Sequence, residues 1–377
     1  MYLVLIGTKA QLIKMAPLMR EMTFAGLPYR FVLTGQHKET MADLIEQFEL
    51  PSPEQLLPLF ENDTKFRVII WSIQTLTALI FKRSLWRDVK YCLVHGDTLS
   101  TLLGALGARL KGKKVMHVEA GLRSFNLWHP FPEEITRLLV TRLSHYYYAA
   151  DEWAANNIRQ LVNRPTDAIC ITGQNTLLDS LRYALSKINE NNVRVEERYC
   201  IVSVHRFENL NNSDRFETIM SWVDRFSENF RVKIVLHPAT KKVLLATRWY
   251  SKFQESNRID MLNRMGYIDF VKLLAKSEFL ATDGGSNQEE CSYLGLRCLL
   301  LRDATERTEG LDSGVVLSKL DKAIIETFLA SLSENSARTN SFYLQENTAT
   351  PCQRITSHMR MLLSPGNTPL IQDGEAH

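Results

Sequence analysis

Three acidic side chains in the first half of the chain follow apolar segments or open a predicted helix. Asp97 follows the apolar run in "YCLVHGD", Glu119 follows the run in "KKVMHVE", and Glu133 lies in "HPFPEEITR". Carboxylates that a fold holds near one another can act as general acids and bases. These three residues are therefore the first candidates for proton-transfer chemistry.

Each of these acids also has a simpler structural interpretation. Asp97 precedes a predicted helix and could be its N-cap. Arg123 stands close enough to Glu119 in the sequence to form a salt bridge with it. Glu133 and Glu134 occupy a predicted first helical turn, where the helix dipole favours carboxylates. The residue types alone do not choose between the chemical and the structural interpretation.

Two glycine-containing turns are typical of anion-binding sites. In "TDGGSNQEE", Gly285 lets backbone approach a ligand, and Ser286 opens a predicted helix whose N-terminus can bind phosphate. Glu290 lies about one turn further on, where a carboxylate can accept hydrogen bonds from a ribose diol. In "GTKAQLIK", Lys9 and Lys14 follow a similar turn and are candidate phosphate partners. Capped strand-to-helix turns with surface lysines would explain the same patterns without a ligand.

A histidine completes this set of residues. His205 and Arg206 end the apolar run in "RYCIVSVHR". A single histidine is more often structural than catalytic, but carboxylates, a histidine and an anion-binding turn together suit proton transfer on a phosphorylated ligand. The sequence has no GxSxG elbow, no GxGxxG dinucleotide fingerprint and no metal-ligand spacing. We therefore expect neither a cofactor nor a metal.

Composition narrows the classes of function. The chain has 377 residues, 45% hydrophobic and 23% charged, which is typical of a folded protein with two domains. Its net charge of +3 does not suggest a nucleic-acid binder.

The apolar stretch 68–81 is shorter than the ~20 residues of a membrane span and contains polar side chains, so it predicts a buried helix. We expect no membrane association and no signal peptide. The six cysteines form no CxxC pair, which favours reduced core thiols and a cytoplasmic location.

Apolar strands alternate with helical periods along most of the chain. This alternation predicts parallel sheets covered by helices, and it starts again near residue 170. We expect an α/β protein with two Rossmann-like domains, residues 1–170 and 171–363, followed by a flexible tail at 364–377. Ligands in such sheets lie at the carboxyl ends of the strands. Most of the candidate residues occur at those ends, where they would face a central cleft.

Taken together, the motifs resemble the non-hydrolysing UDP-N-acetylglucosamine 2-epimerase family. "HGDT", "HVEAGLRS", "PFPEEITR", "HRFEN" and "RDATER" occur in the family's order and at family-like spacing, between Gly7 and about Gly310. The resemblance implies a GT-B type fold, with the nucleotide bound mainly by the second domain. It also implies interconversion of UDP-N-acetylglucosamine and UDP-N-acetylmannosamine by elimination and re-addition of UDP, in bacterial surface polysaccharide synthesis. Family members are commonly homodimers.

The resemblance also assigns roles to individual residues. The catalytic acids of the family match Asp97, Glu119 and Glu133, and its catalytic histidine matches His205. The UDP-binding positions match a second set: Lys9, Lys14, Phe270, Gly285, Ser286, Glu290 and Arg307. Many bacterial members bind a further UDP-sugar as an activator. The residues of that site match a third set: Gln36, His37, Gln74, Arg206 and His237.

The sequence departs from the family pattern at several positions. "KAQ" at residues 9–11 replaces arginine-proline-glutamate, and Lys9 lacks the planar guanidinium that binds phosphate through two donors. Gly284, Gly285 and Ser286 replace the usual order of serine and glycines, while Glu39 and Ile73 differ from the usual activator-site residues. A relative that acts on a modified UDP-2-acetamido sugar fits these changes equally well.

Two other functions stay open from the sequence. A GT-B glycosyltransferase would share the fold and the UDP site, but it has less need of three clustered acids. A catalytically silent UDP-sugar-binding regulator would follow if the "KAQ" change disables the site. Formation of product without an acceptor separates an epimerase from both.

Overall fold

The computed structural model describes the following segments of the chain: residues 1–36, 41–58, 65–128, 131–163, 165–188, 197–305, 307–311, 313–334 and 348–363. The chain divides into two compact units, each built on one parallel sheet. Unit 1 comprises Met1–Ser180 and the segment that begins at Thr348, and unit 2 comprises Leu181–Asn347. The predicted flexible tail at 364–377 lies outside the described residues.

Unit 1 alternates strands and helices along the chain. Its strands are β1 (Tyr2–Ile6), β2 (Tyr29–Leu33), β3 (Glu54–Gln55), β4 (Tyr91–His95), β5 (Lys114–Val118), β6 (Tyr146–Ala149) and β7 (Ile169–Ile171). Its helices are α1 (Lys9–Phe24), α2 (Ala42–Gln47), α3 (Lys65–Phe81), α4 (Leu99–Leu110), α5 (Glu133–Leu143) and α6 (Glu152–Leu161), and α7 (Leu177–Ser186) spans the boundary with unit 2. The strands form a parallel sheet in the order β3-β2-β1-β4-β5-β6-β7.

Unit 2 repeats this architecture. Its strands are β8 (Tyr199–Ser203), β9 (Arg231–Leu236), β10 (Ile259–Asn263), β11 (Phe279–Thr282), β12 (Arg297–Leu300) and β13 (Val315–Leu317). Its helices are α8 (Phe207–Leu210), α9 (Ser213–Phe226), α10 (Pro238–Leu245), α11 (Arg248–Glu255), α12 (Tyr267–Ala275), α13 (Gly285–Leu294) and α14 (Lys322–Glu334). The parallel sheet has the order β10-β9-β8-β11-β12-β13.

Both sheets have the strand order of a Rossmann fold, which confirms the predicted fold class. The order reverses between β1 and β4 in unit 1 and between β8 and β11 in unit 2. The central strands β1, β4 and β8 are buried along their whole length, as continuous apolar runs in a covered parallel sheet should be. Ligand sites in such sheets lie outside the carboxyl ends of the strands at the reversal point. The turns after β1, β4, β8 and β11 are therefore the expected location of the site.

The last helix, α15 (Pro351–Leu363), belongs to unit 1, although the sequence placed residues 351–363 with the second domain. Tyr2 donates a hydrogen bond from its hydroxyl to the Met359 carbonyl (2.8 Å), and the Cys352 amide donates to Asp179 (3.1 Å). Contacts between residues so far apart in the chain leave no local sequence pattern. The compact units accordingly meet at residue 180 rather than at 170.

The burial of two helices differs from what their apolar residues suggest. In α3, expected to be buried, Ile69 and Ile73 are 56% and 61% exposed, because only one amphipathic face packs inward. In α5, the apolar side chain of Leu139 is 41% exposed. Together with Val140, the helix buries Glu134 and Arg137, which form ion pairs with residues of neighbouring loops.

No helix in the described part of the chain combines the length and the hydrophobicity that a membrane crossing requires. The six cysteines are free thiols, and all except the partly exposed Cys170 are buried.

Candidate functional site

The turn after β1 is fixed by a glutamine. Thr8 is the N-cap of α1, and Gln11 completes a capping box with it. The Gln11 side chain accepts from the amides of Gly7 (2.8 Å) and Thr8 (3.1 Å) and donates to the His95 carbonyl (2.7 Å). It also donates to the hydroxyls of Thr98 and Thr101 (both 2.9 Å). Gln11 thus ties the turn after β1 to the turn after β4, on the two sides of the reversal point.

Replacing Gln11 by alanine should lower the free energy of unfolding by about 2–4 kcal/mol, since each buried polar group left without its partner costs about 1–3 kcal/mol. Urea unfolding followed by circular dichroism measures this loss. Gln55→Ala, at an exposed position on the edge strand β3, is the matched control and should change stability by no more than about 0.5 kcal/mol. Equal stability of the two variants would show that Gln11 does not hold the turns together.

Asp97 does not cap a helix; an arginine holds it. The N-cap of α4 is Thr98, whose side chain accepts from the Thr101 amide, so the capping interpretation of Asp97 is wrong. Arg137, on α5, donates to Asp97 Oδ2 from Nε (2.8 Å), and its Nη2 lies 2.7 Å from the same oxygen. The Asp97 side chain remains 26% exposed. The carboxylate is therefore oriented through one oxygen while part of it stays accessible.

Glu134, not Glu119, is the partner of Arg123. Arg123 Nε donates to Glu134 Oε1 (2.5 Å), and the Ser124 amide donates to Oε2 (2.9 Å). Burial alone would raise the pKa of Glu134, but these hydrogen bonds and the charges of Arg123 and Arg137 outweigh it, so its pKa lies below the usual value. The alternative interpretation of Glu119, a structural salt bridge with Arg123, is therefore wrong, and Glu134 anchors the loop before α5.

Glu119 lies in a cluster of hydrogen-bond donors at the end of β5. Its Oε1 accepts from Lys14 Nζ (2.7 Å) and from Asn175 Nδ2 (2.8 Å), and its Oε2 lies 3.0 Å from His95 Nε2. The side chains of Lys14 and Glu119 are only 5% and 7% exposed. The backbone of Glu119 has φ +60°, a conformation that a non-glycine residue rarely adopts and that is frequent at functional sites.

Glu133, at the start of α5, has a different environment. Its Oε2 is buried and accepts no hydrogen bond from any described residue. The structural interpretation therefore holds for Glu134, which forms the contacts with the preceding loop. The chemical interpretation suits Glu133, which keeps hydrogen-bonding capacity for a ligand. Arg137 pairs with both Glu134, in the first turn of α5, and Asp97, and the register pairs His95 on β4 with Val118 on β5. The structure thus places Asp97, Glu119 and Glu133 at the ends of neighbouring elements of unit 1: after β4, after β5 and at the start of α5.

The glycine turn of unit 2 has the geometry of an anion site. α13 begins at Gly285 after the N-cap Gly284, which has no side chain to cap the first amides of the helix. A Cβ atom on Gly285 would lie 2.9 Å from Arg307 Nε, so the guanidinium stands directly beside the turn. Arg307 forms an ion pair with the buried Glu289, while Gln288 donates to the Arg307 carbonyl (3.2 Å). A guanidinium and a helix N-terminus are the groups that bind phosphate oxygens.

The remaining predicted UDP-binding residues differ in burial and in their contacts. Glu290, on α13, is buried and accepts from Asn287 Nδ2 (2.9 Å), and Ser286 is partly buried in the same turn. Phe270 is partly buried on α12. Lys9, by contrast, lies 3.5 Å from Asp43 on α2.

His205 lies in the turn after β8, beside the turn after β11. Its Nδ1 is 3.4 Å from Asp283 Oδ1, and its ring centroid is 4.5 Å from that of His237. Burial lowers the pKa of His205 below its usual value, although 37% of the side chain remains exposed. A neutral imidazole that can gain a proton suits contact with a phosphate oxygen.

The predicted activator residues fall in both units. Arg206 and His237 adjoin His205 in unit 2, and Arg206 lies 3.4 Å from Glu208. In unit 1, Ser100 donates to Gln36 (2.5 Å), while Gln74 is exposed on α3. His37 lies outside the described residues.

Sequence reasoning missed the residues that orient the predicted ones. They are Gln11, His95, Arg137, Asn175 and Asp283. Most of them stand inside or beside the quoted motifs, so their positions were visible while their partners were not. In the described part of the chain no group of three or more His, Cys, Asp or Glu side chains could hold a metal ion.

Two Rossmann-like units, one with clustered carboxylates and the other with an arginine beside a glycine turn, define a GT-B type protein. The UDP-N-acetylglucosamine 2-epimerase family model matches residues 22–359. The chain is 31% identical over 316 residues to the Bacillus subtilis UDP-N-acetylglucosamine 2-epimerase, an alignment that covers 82% of this chain and 80% of that protein. The chain therefore belongs to the UDP-N-acetylglucosamine 2-epimerase family, as its motifs predicted.

Solved structures agree with this assignment. The UDP-GlcNAc 2-epimerase of Methanocaldococcus jannaschii, in complex with UDP-GlcNAc and UDP, superposes with a TM-score of 0.77 at 28% identity, covering 96% of this chain and 99% of that chain. The S. aureus MnaA-UDP co-structure gives a TM-score of 0.79 at 26% identity, covering 96% of both chains. The similarity thus extends over nearly the whole fold.

Proposed function

We propose that this protein is a non-hydrolysing 2-epimerase that interconverts UDP-N-acetylglucosamine and UDP-N-acetylmannosamine, or a modified UDP-2-acetamido sugar, for surface polysaccharide synthesis. The observation that carries the proposal is the set of three carboxylates in unit 1. Asp97, Glu119 and Glu133 end or begin neighbouring elements, and each has a different set of partners. Relatives that contain UDP-GlcNAc or UDP in their structures support the choice of substrate.

The chemistry explains why several acids are needed. Carbon 2 of the sugar carries a hydrogen that no adjacent carbonyl acidifies. A carboxylate removes this proton while the bond from carbon 1 to the diphosphate oxygen breaks, and UDP departs with the bonding electrons. Addition of UDP to the resulting 2-acetamidoglucal, with a proton delivered to the opposite face of carbon 2, gives the epimer. Two faces require two acid–base groups.

The environments of the three acids suggest how they divide this work. Glu133 has a buried oxygen without a hydrogen bond from any described residue, and Asp97 is held through one oxygen and partly exposed. We infer that these two exchange protons with the sugar. Glu119 accepts from Lys14 and Asn175, so its charge serves to orient the ammonium and the surrounding turns.

The departing UDP is stabilised by unit 2 in this proposal. The amides at the start of α13 and the Arg307 guanidinium supply donors and positive charge for the phosphates. Glu290 would accept the ribose hydroxyls, Phe270 would lie against the uracil, and His205 would contact the leaving diphosphate. Arg206 and His237 remain the proposed activator-binding residues of this unit.

Arg307→Lys should weaken UDP binding by about 1.5–3 kcal/mol, roughly 10- to 150-fold in Kd, because lysine keeps the charge beside Glu289 but loses the planar fork. Isothermal titration calorimetry with UDP measures the change. Arg225→Lys, at an exposed ion pair on α9, is the matched control. An unchanged Kd in Arg307→Lys would remove this residue from the UDP site.

Product formation without an acceptor tests the function. The purified protein with UDP-N-acetylglucosamine alone should yield a mixture of the gluco- and manno-configured nucleotide sugars, separable by anion-exchange chromatography. A panel of modified UDP-2-acetamido sugars tests the substrate range in the same assay. If no sugar of the panel is epimerised, and the sugar is transferred with release of UDP only when an acceptor is added, the protein is a glycosyltransferase.

We propose that the protein is a homodimer, for which the exposed apolar face of α3 is the support. Phe66, Ile69 and Ile73 are 70%, 56% and 61% exposed and occupy one side of the helix. Ile73→Asp should convert the dimer to a monomer in size-exclusion chromatography with light scattering. Lys322→Asp on α14 is the control for a surface charge change. A wild-type protein that is monomeric at micromolar concentration would contradict the proposal.

The thiols support a cytoplasmic location. Burial raises the pKa of Cys92 to about 12 and that of Cys170 to about 11, so both remain protonated. Free, unreactive cysteines are typical of proteins from reducing compartments.

A further inference from the structure

Asp283 is a buried carboxylate to which the proposed chemistry gives no role. It stands at the carboxyl end of β11 and is 0% exposed. Its oxygens accept from the backbone amides of His205 (3.0 and 3.2 Å) and Arg206 (3.0 Å) and from Asn209 Nδ2 (3.0 Å). These donors all belong to the segment that follows β8. Asp283 thus fastens the His205 turn across the reversal point of the second sheet.

The ring of His205 is confined on several sides. Nδ1 lies 3.4 Å from Asp283 Oδ1, and the ring of His237 stacks at 4.5 Å with a tilt of 36°. A Cβ atom on Gly284 would lie 3.1 Å from His205 Cε1, so this glycine lets the ring approach the turn. At this distance the carboxylate oxygen attracts an Nδ1–H group and repels the lone pair of an unprotonated Nδ1. The neutral ring should therefore carry its proton on Nδ1.

We propose that Asp283 is a positioning residue that holds His205 in the Nδ1-protonated tautomer and leaves Nε2 as the nitrogen available to the nucleotide diphosphate. The role of Nε2 rests on the proposed function, whereas the tautomer does not. The arrangement is that of a carboxylate orienting an imidazole, in which the acid fixes the ring and stabilises its protonated form. It also joins His205 mechanically to the glycine turn that begins α13.

The charges that face His205 come from several elements. Burial lowers the pKa of His205, the charge of Asp283 opposes this effect, and the charges of Arg206 and Arg264 add to it. His237 is a further titratable group against the ring. Removal of the Asp283 charge should therefore lower the pKa of His205 further.

Nitrogen-15 NMR of histidine-labelled wild-type protein tests the tautomer directly, with His205→Gln used to assign the resonance. Asp283 as a positioning residue requires the Nδ1-protonated form above the pKa. A neutral His205 that carries its proton on Nε2 would overturn the proposal, and this result needs neither a variant nor activity.

The variants Asp283→Asn and Asn209→Ser separate positioning from general packing. Asp283→Asn should lower the His205 pKa, mix the tautomers and reduce kcat by about 10²-fold. Asn209→Ser disturbs the same buried network but keeps the carboxylate, so the pKa and tautomer should stay as in wild type. Equal changes in both variants would mean that Asp283 has only a packing role. If the protein is not an epimerase the kcat readout is lost, but the pKa and tautomer still decide the proposal.

Discussion

Asp97→Asn and Glu133→Gln should each reduce turnover by roughly 10²- to 10⁴-fold, the contribution of a positioned acid or base. Neither substitution removes a group from unit 2, so UDP binding measured by calorimetry should stay within about twofold. Asparagine can still accept from Arg137, and Glu133 Oε2 takes part in no hydrogen bond with described residues, so both variants should fold.

Glu152→Gln is the matched control for these variants, because Glu152 is an exposed acid of unit 1, 61% accessible, at the start of α6. Its turnover should equal that of the wild type. Near-normal rates in both Asp97→Asn and Glu133→Gln would rule out the assignment of the acids, even if the protein proves to be an epimerase.

Glu119→Gln should lower the free energy of unfolding by about 3–5 kcal/mol, because it removes the carboxylate charge 2.7 Å from the buried Lys14 ammonium. Turnover should fall as well. The double variant Lys14→Met with Glu119→Gln removes both charges and should recover part of the stability but none of the activity. Chemical denaturation measures the first effect and the acceptor-free assay the second.

An unchanged unfolding midpoint in Glu119→Gln would show that the Lys14–Glu119 pair is not essential to the fold of unit 1. Recovery of activity in the double variant would remove Glu119 from the proposed mechanism and leave Asp97 and Glu133 as its acid–base groups.

The sequence predicts the features that depend on residues close together in the chain, such as strands, strand ends and helix caps. Continuous apolar runs mark the buried strands, and the polar residues that follow them mark the carboxyl ends, which is why Asp97, Glu119 and His205 could be found. A capped turn was one interpretation of "GTKAQLIK" for the same reason, since capping depends on residues three positions apart. The family motifs then added the positions of Phe270 and Arg307.

What could not be predicted depends on residues far apart in the chain. Arg137 meets Asp97 across 40 positions, and Gln11 meets His95 across 84. Proximity along the chain suggested Glu119 as a possible partner of Arg123, whereas the fold turns Arg123 toward Glu134. The burial of Glu134 and Arg137 on α5 was missed because it depends on ion pairs with Arg123 and Asp97, which precede the helix.

Proton NMR of UDP-N-acetylglucosamine with the purified protein in deuterated water is the most direct test of epimerisation by elimination and re-addition of UDP. Elimination and re-addition of UDP require the hydrogen on carbon 2 to be replaced from solvent. We predict deuterium at carbon 2 and a manno-configured product, with no acceptor present. A manno-configured product that keeps its original hydrogen on carbon 2 would contradict the elimination route. Absence of both exchange and product, across the panel of UDP-2-acetamido sugars and with activator sugar added, would contradict the proposed function itself.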